Sequence, residues 1–151
     1  MIIFGEKEAN ISYTWRPGVY GIVFNEKKDQ IALIQTEDGK YFLPGGGLEN
    51  GESHSECLLR EGIEEMGMVL ELGDFIGSAQ RYFFSTKDRK HYLVEGHFYS
   101  GKIKGRAGDP TEPGHFLRWT ATEEAVARLF QEHQSWAVER ALMMGKNVTS
   151  S

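Results

Sequence analysis

The residues best suited to chemistry lie between Gly45 and Met68, where three consecutive glycines lead into a short segment loaded with acidic side chains. Glu61, Glu64 and Glu65 fall at i, i+3 and i+4, so a helix places all three carboxylates on one face, about 5 to 6 Å apart. Like charges at that spacing repel and call for a compensating cation. Several carboxylate oxygens facing one point are what a hard ion such as Mg2+ selects, and the cluster reads as a metal site. Without its surroundings the same run would read as a solvated acidic helix face.

The helix that must carry these residues is marked at both ends. Ser53 with Glu56 three residues on forms a capping box, in which each side chain satisfies a backbone N–H that the first turn leaves unpaired. Gly67 can take the left-handed conformation that ends a helix, which predicts one over Ser53 to Met66. Cys57, Leu58, Leu59, Ile63 and Met66 are its expected buried residues. Gly62 costs roughly 0.8 to 1 kcal/mol relative to alanine in a helix interior, so its presence predicts close approach to another element.

The flanks read mainly as strands. Gly18 to Phe24 and Gln30 to Gln35 are short, β-branched and apolar, separated by the polar turn Asn25 to Asp29. Asp38-Gly39 is a hairpin signal ahead of Lys40 to Leu43, and Pro44 then stops the ladder, which leaves Gly45 to Gly47 as a loop. Further strands are expected at Val69 to Leu72, Phe75 to Phe84, His91 to Tyr99 and His115 to Trp119. Gly101 to Gly114 is expected to be a long loop, a type that tends to be functional. Thr120 and Glu123 suggest a second capping box, Ser135 to Met144 a last helix, and Lys146 to Ser151 a flexible tail. This order predicts an α/β protein with a mixed sheet between helices, in one domain spanning residues 1–151.

Composition narrows the class. The chain has 151 residues, 40% hydrophobic and 26% charged, ordinary values for a globular protein. It contains no apolar run near the roughly 20 residues of a membrane span. Its N-terminal stretch lacks the pattern of a secretory signal, and its single cysteine, Cys57, cannot form an internal disulfide. A cytoplasmic location is the expectation. The net charge of −5 argues against DNA binding through clustered Lys and Arg.

Gly46, Glu52, Arg60, Glu61, Glu64, Glu65 and Gly67 together match the Nudix signature, G-x5-E-x7-R-E-U-x-E-E-x-G-U with U a bulky aliphatic. The segment resembles that family at all seven fixed positions; Gly62 departs from the first aliphatic position and Met68 satisfies the second. The resemblance implies an α/β/α sandwich and a MutT-like pyrophosphohydrolase that cleaves a nucleoside diphosphate linked to another moiety. Mg2+, with Mn2+ as a substitute, is the implied cofactor, and a small nucleotide the implied partner of a monomer or homodimer. Glu61 and Glu65 become the expected direct ligands, Glu64 a ligand directly or through water, and the Gly45 carbonyl a further one. Arg60 is expected to pair with a motif glutamate and orient it. Glu52 is an additional ligand, a base or a helix-dipole partner, three roles left open. Glu95 is either a solvated strand residue or the acid that some members bring from a neighbouring strand as ligand or base. Arg16 and Arg81, beside strands, are candidates for phosphate contacts, and Tyr82 for stacking on a base. Oxidised nucleoside triphosphates and dinucleoside polyphosphates are candidate substrates. A catalytically silent nucleotide sensor and an RNA 5′-end pyrophosphohydrolase are the competing readings. The first would be expected to have lost motif carboxylates, and the second needs a basic channel.

Overall fold

In the computed structural model, which describes residues 1–150 and the side chains of 1–145, the chain opens with a short strand, β1 (Ile2–Phe4). It continues through β2 (Thr14–Val23), β3 (Gln30–Thr36), β4 (Tyr41–Phe42) and β5 (Gly45–Gly47) to helix α1 (His54–Met66). Two long strands, β6 (Met68–Ser85) and β7 (Lys90–Arg106), precede β8 (His115–Ala121), α2 (Thr122–Arg128) and α3 (Glu132–Ser150). The tail expected from Lys146 falls on residues whose side chains, and in Ser151 the whole residue, lie outside the described ones.

The mixed sheet is present, and a second sheet accompanies it. Five strands run in the order β1-β6-β7-β2-β5, with β1 parallel to β6 and β2 parallel to β7, while β4-β3-β8 form a separate antiparallel sheet. Alternation along β2 and β3 divides the core between two layers. Val19, Val23, Ala32 and Ile34 pack with Cys57, Leu58 and Met66 of α1. Ile22, Ile31 and Leu33 pack with Ala125, Leu129, Ala137 and Val138 on the side of α2 and α3. Helices thus cover opposite faces, giving the expected α/β/α layering.

Several local expectations change. Gly45–Gly47 is a strand, because its partner β2 is distant in sequence and pairs Gly18, Val19 and Tyr20 with Gly47, Gly46 and Gly45. Gly73-Asp74 does not divide β6; the irregularity is absorbed as register shifts between Leu72 and Gly77. The first half of the expected long loop is strand, since Gly101 pairs with Leu72 and Arg106 with Met68. The second capping box does not form: α2 has Ala121 at its N-cap with no side-chain cap, and the Thr120 hydroxyl donates to the Arg118 carbonyl instead. Thr120 belongs to β8, paired with Ile31.

Candidate metal centre and active site

Both ends of α1 form as the sequence dictates. The Ser53 hydroxyl accepts the Glu56 N–H at 3.1 Å, the Glu56 carboxylate accepts the Ser53 N–H at 3.0 Å, and Gly67 has φ 66°. Close packing explains Gly62, where an added Cβ would lie 2.7 Å from Leu70 Cγ and 3.0 Å from the Met68 carbonyl. This approach rotates α1 so that Leu59 is 40% exposed, contrary to the expected apolar face, while Glu61 and Glu65 are buried at 9% and 4%.

The glycine strand completes their environment. The Gly45 N–H donates to Glu65 Oε1 at 2.9 Å, so Gly45 meets the cluster through its amide. Gly46 lies against Glu61, with an ideal Cβ only 2.6 Å from Glu61 Oε1. A side chain there would occupy the space of the carboxylate.

Arg60 ties the motif together. Its Nε and Nη2 donate to the two carboxylate oxygens of Glu52 at 2.7 and 3.0 Å, a bidentate pair. Nη1 donates to Glu61 Oε1 at 2.9 Å and to Glu64 Oε2 at 3.3 Å, and Nη2 also reaches the Gly47 carbonyl at 3.1 Å. Hydrogen bonds from Arg60 hold the Glu52 carboxyl down to about 2, and Glu52 raises the affinity of Arg60 for its own proton. Both Glu52 oxygens are engaged by Arg60.

Glu61 and Glu65 have the opposite problem. Burial, followed by the charge of Glu65, pushes the Glu61 carboxyl up to about 7. Burial likewise raises Glu65, against hydrogen bonds from His115 and Gly45. Carboxylates packed together in a low-dielectric site with too little positive charge favour protonation. A divalent cation would supply the missing charge, and the oxygen donors fit a hard one.

Two further residues join the cluster from outside the signature. Donor atoms of Glu61, Glu64 and Glu112 lie within 4.8 Å of one another, as do those of Glu65, Glu112 and His115. The connection between β7 and β8 carries Glu112 there by backbone hydrogen bonds to the end of α1. The amides of Thr111 and Glu112 both donate to the Glu64 carbonyl, at 3.0 and 2.9 Å, and those of Ala107 and Gly108 to the Gly67 carbonyl, at 2.8 and 3.2 Å. Carbonyls that a helix end leaves unpaired are thereby satisfied. His115, the first residue of β8, has Nδ1 3.3 Å from Glu65 Oε2. The long-loop signal marked this region, but nothing local singled out Glu112 or His115.

The remaining candidates are dispersed. Glu95 accepts from Gln80 Nε2 at 2.7 Å and lies 2.9 Å from His97 Nε2, so both its oxygens are engaged within the sheet, and it belongs to neither donor group. Arg16 places its guanidinium 5.2 Å from the Tyr92 ring centroid, and its Nε would be 3.9 Å from a Cβ on Gly47. Tyr82 packs edge-on against Tyr13 at 4.8 Å and lines a small separate cleft. Arg81 lies 5.4 and 5.9 Å from the ring centroids of Phe83 and Phe130, and its Nε and Nη1 are buried without a hydrogen-bond partner. Both rings line a cleft of ≈ 490 Å³ that also includes Phe42, Lys40, Lys87 and His115. His115 therefore borders both the carboxylate cluster and this cleft.

The carboxylate cluster could hold a metal ion, and comparison with known proteins identifies the family. The NUDIX domain matches residues 14–141, and the chain belongs to the Nudix family. A Bacillus subtilis (strain 168) protein provisionally named an 8-oxo-dGTP diphosphatase is 36% identical over 107 residues, 69% of this chain and 65% of its own. The diphosphoinositol polyphosphate phosphohydrolase 3-beta of Bos taurus is 27% identical over 112 residues, 73% of this chain and 65% of its own. The chain thus spans 65% of the length of each of these curated relatives. A NUDIX hydrolase from Nitrosomonas europaea superposes with a TM-score of 0.67 at 19% identity, covering 85% of this chain and 88% of that one. The MutT protein from Methanosarcina mazei Go1 gives 0.63 at 24% identity, covering 91% and 99%. Both share the fold. No helix among the described residues is long and apolar enough to cross a membrane.

Proposed function

We propose that the chain is a Mg2+-dependent pyrophosphohydrolase that acts in the cytoplasm on a nucleoside diphosphate linked to another moiety. The observation that carries this reading is the convergence of Glu61, Glu64, Glu65 and Glu112, two of them buried and resistant to ionisation, beside an aromatic cleft. Glu61, Glu64, Glu65 and Glu112 would hold the cation, which when bound neutralises charge on the phosphate oxygens.

The chain's own residues supply orientation and proton transfer. Arg60, locked by Glu52, holds Glu61 and Glu64 in place, so Glu52 acts by positioning Arg60. Glu64, the most exposed of the three motif carboxylates on α1 with 36% of its side chain accessible, takes the proton of the attacking water. Phe42, Phe83 and Phe130 offer a base faces to stack on, and Lys40 and Lys87, which line the same cleft, are the cations available to the nucleotide's phosphates. Arg81 lies behind two of these rings and orients them.

The 8-oxo-dGTP named for the Bacillus relative makes an oxidised nucleoside triphosphate the first substrate to test, followed by dinucleoside and diphosphoinositol polyphosphates. The test is phosphate release from a panel of these with Mg2+ or Mn2+, repeated with Glu64→Gln and Glu65→Gln. Turnover on at least one compound that collapses in both variants is expected. Turnover surviving both defeats the metal assignment, and tight binding without turnover across the panel favours a nucleotide sensor.

A further inference from the structure

The two donor groups at the centre share Glu112 but differ in chemistry. Glu61, Glu64 and Glu112 offer only oxygen. Glu65, Glu112 and His115 add an imidazole, placed with Nδ1 3.3 Å from Glu65 Oε2 and Nε2 3.8 Å from Glu112 Oε1. Nitrogen donors suit transition ions, whereas Mg2+ is met chiefly by carboxylate, carbonyl and water oxygens.

We infer that the centre has two unlike cation positions, and that His115 gives the one at Glu65 and Glu112 a nitrogen ligand selecting Mn2+ or a similar transition ion over Mg2+. This rests on the metal-assisted reading above. Its support is the way three separate parts of the chain fix the donors. Glu65 is 4% exposed and its Oε1 is anchored by the Gly45 amide, which leaves Oε2 toward His115. Glu112 is held by its own amide on the Glu64 carbonyl. His115 is fixed at the start of β8 by pairing with Thr36. An imidazole placed between two carboxylates has one other use, as a protonated counter-charge standing in for a cation, and that alternative predicts no metal–nitrogen bond.

Pulsed electron paramagnetic resonance on the full chain loaded with Mn2+ separates the two. A ligated imidazole gives a 14N coupling to Mn2+, and growth on 15N-histidine converts it to the 15N pattern without any substitution. The inference expects that coupling, its loss in His115→Asn and His115→Gln, and a rise in the Kd for Mn2+ of at least about tenfold in both. The Kd for Mg2+ should move less than about twofold. Bound Mn2+ without histidine nitrogen coupling overturns the inference while leaving the carboxylate site intact. Equal weakening of Mn2+ and Mg2+ binding overturns the selectivity. Mn2+ binding indifferent to Glu64→Gln and Glu65→Gln removes the metal-assisted reading itself. If both His115 variants unfold, the 15N-histidine experiment on the unaltered chain decides.

Discussion

Gly46 faces Glu61 so closely that a β-carbon on it would stand 2.6 Å from Glu61 Oε1 and 2.8 Å from its carboxyl carbon. The glycine is required here by the room it leaves for the Glu61 carboxylate. Gly46→Ala is therefore expected to displace Glu61. Overpacking of this kind costs about 1 to 3 kcal/mol, and a shift of about 1 Å in a group that positions a reaction costs about 10²-fold in rate. Urea denaturation and steady-state kinetics on the panel substrate check both. An alanine variant with unchanged kcat would show that Glu61 does not need its present place.

Arg60 is the hub of the acidic network, with 23% of its side chain exposed against 10% for Glu52. Removing it leaves Glu52, Glu61 and Glu64 facing one another. A fully buried pair broken on one side costs about 3 to 5 kcal/mol; with solvent screening at this exposure, about 2 kcal/mol is expected for Arg60→Ala. That corresponds to a Tm lower by about 4 to 8 °C for a chain of this size. Arg60→Lys should recover little, because an ammonium cannot grip both Glu52 oxygens while reaching Glu61. A lysine variant melting with the wild type would argue against the bidentate geometry.

The capping box at Ser53, the left-handed Gly67 and the tight packing at Gly62 were legible because each depends on residues a few positions apart. Strand pairing was less so. Gly45–Gly47 has no strand propensity, and only the distant β2 makes it one. Leu59 belongs to the apolar set of α1 by type, yet the contact of Gly62 with Leu70 fixes the rotation that exposes it. Thr120 and Glu123 have the spacing of a cap, but pairing of Thr120 with Ile31 prevails over it. Glu112 and His115 were illegible for the same reason: the hydrogen bonds that bring Glu112 to the cluster join residues about fifty apart in sequence. The signature disclosed the candidate ligands on one helix, and tertiary structure brought Glu112 and His115 beside them.

Gly62 permits a test in which two known effects oppose each other. Gly62→Ala gains roughly 0.8 to 1 kcal/mol of helix propensity, but its methyl would enter the space of Leu70 Cγ, 2.7 Å away, and of the Met68 carbonyl. Overpacking of about 1 to 3 kcal/mol outweighs the gain, so net destabilisation is expected. Leu70→Val in the same chain should relieve part of it, making the double variant more stable than the sum of the singles predicts. Strict additivity in urea unfolding would mean that the methyl does not meet Leu70.

The last prediction concerns pH and metal removal together. In the metal-free protein the Glu61 carboxyl is raised from 4.5 to about 7, by burial first and the charge of Glu65 second. A carboxyl raised on folding holds its proton more tightly in the native state, so stability falls as pH rises from 4.5 to about 7 and then levels. The shift is worth on the order of 3 kcal/mol. His133 works in the other direction over much of the same range. Burial, with Arg81 contributing, depresses it from 6.5 to about 4, so its contribution is lost as pH falls. The two oppose each other in the metal-free melting curve, where the raised Glu65 and His115 act in the same direction as Glu61, and the informative quantity is the difference between metal-loaded and chelated protein, in which His133 drops out. That difference should grow between about pH 5 and 7 and flatten above, because a bound cation favours the ionised Glu61. Glu61→Gln should shrink the growth. Calorimetric titration of Mg2+ near pH 6 in buffers of different ionisation enthalpy should show proton release in the wild type and less in the variant. A metal-induced gain in Tm that is flat across this range would place Glu61 outside the cation's reach.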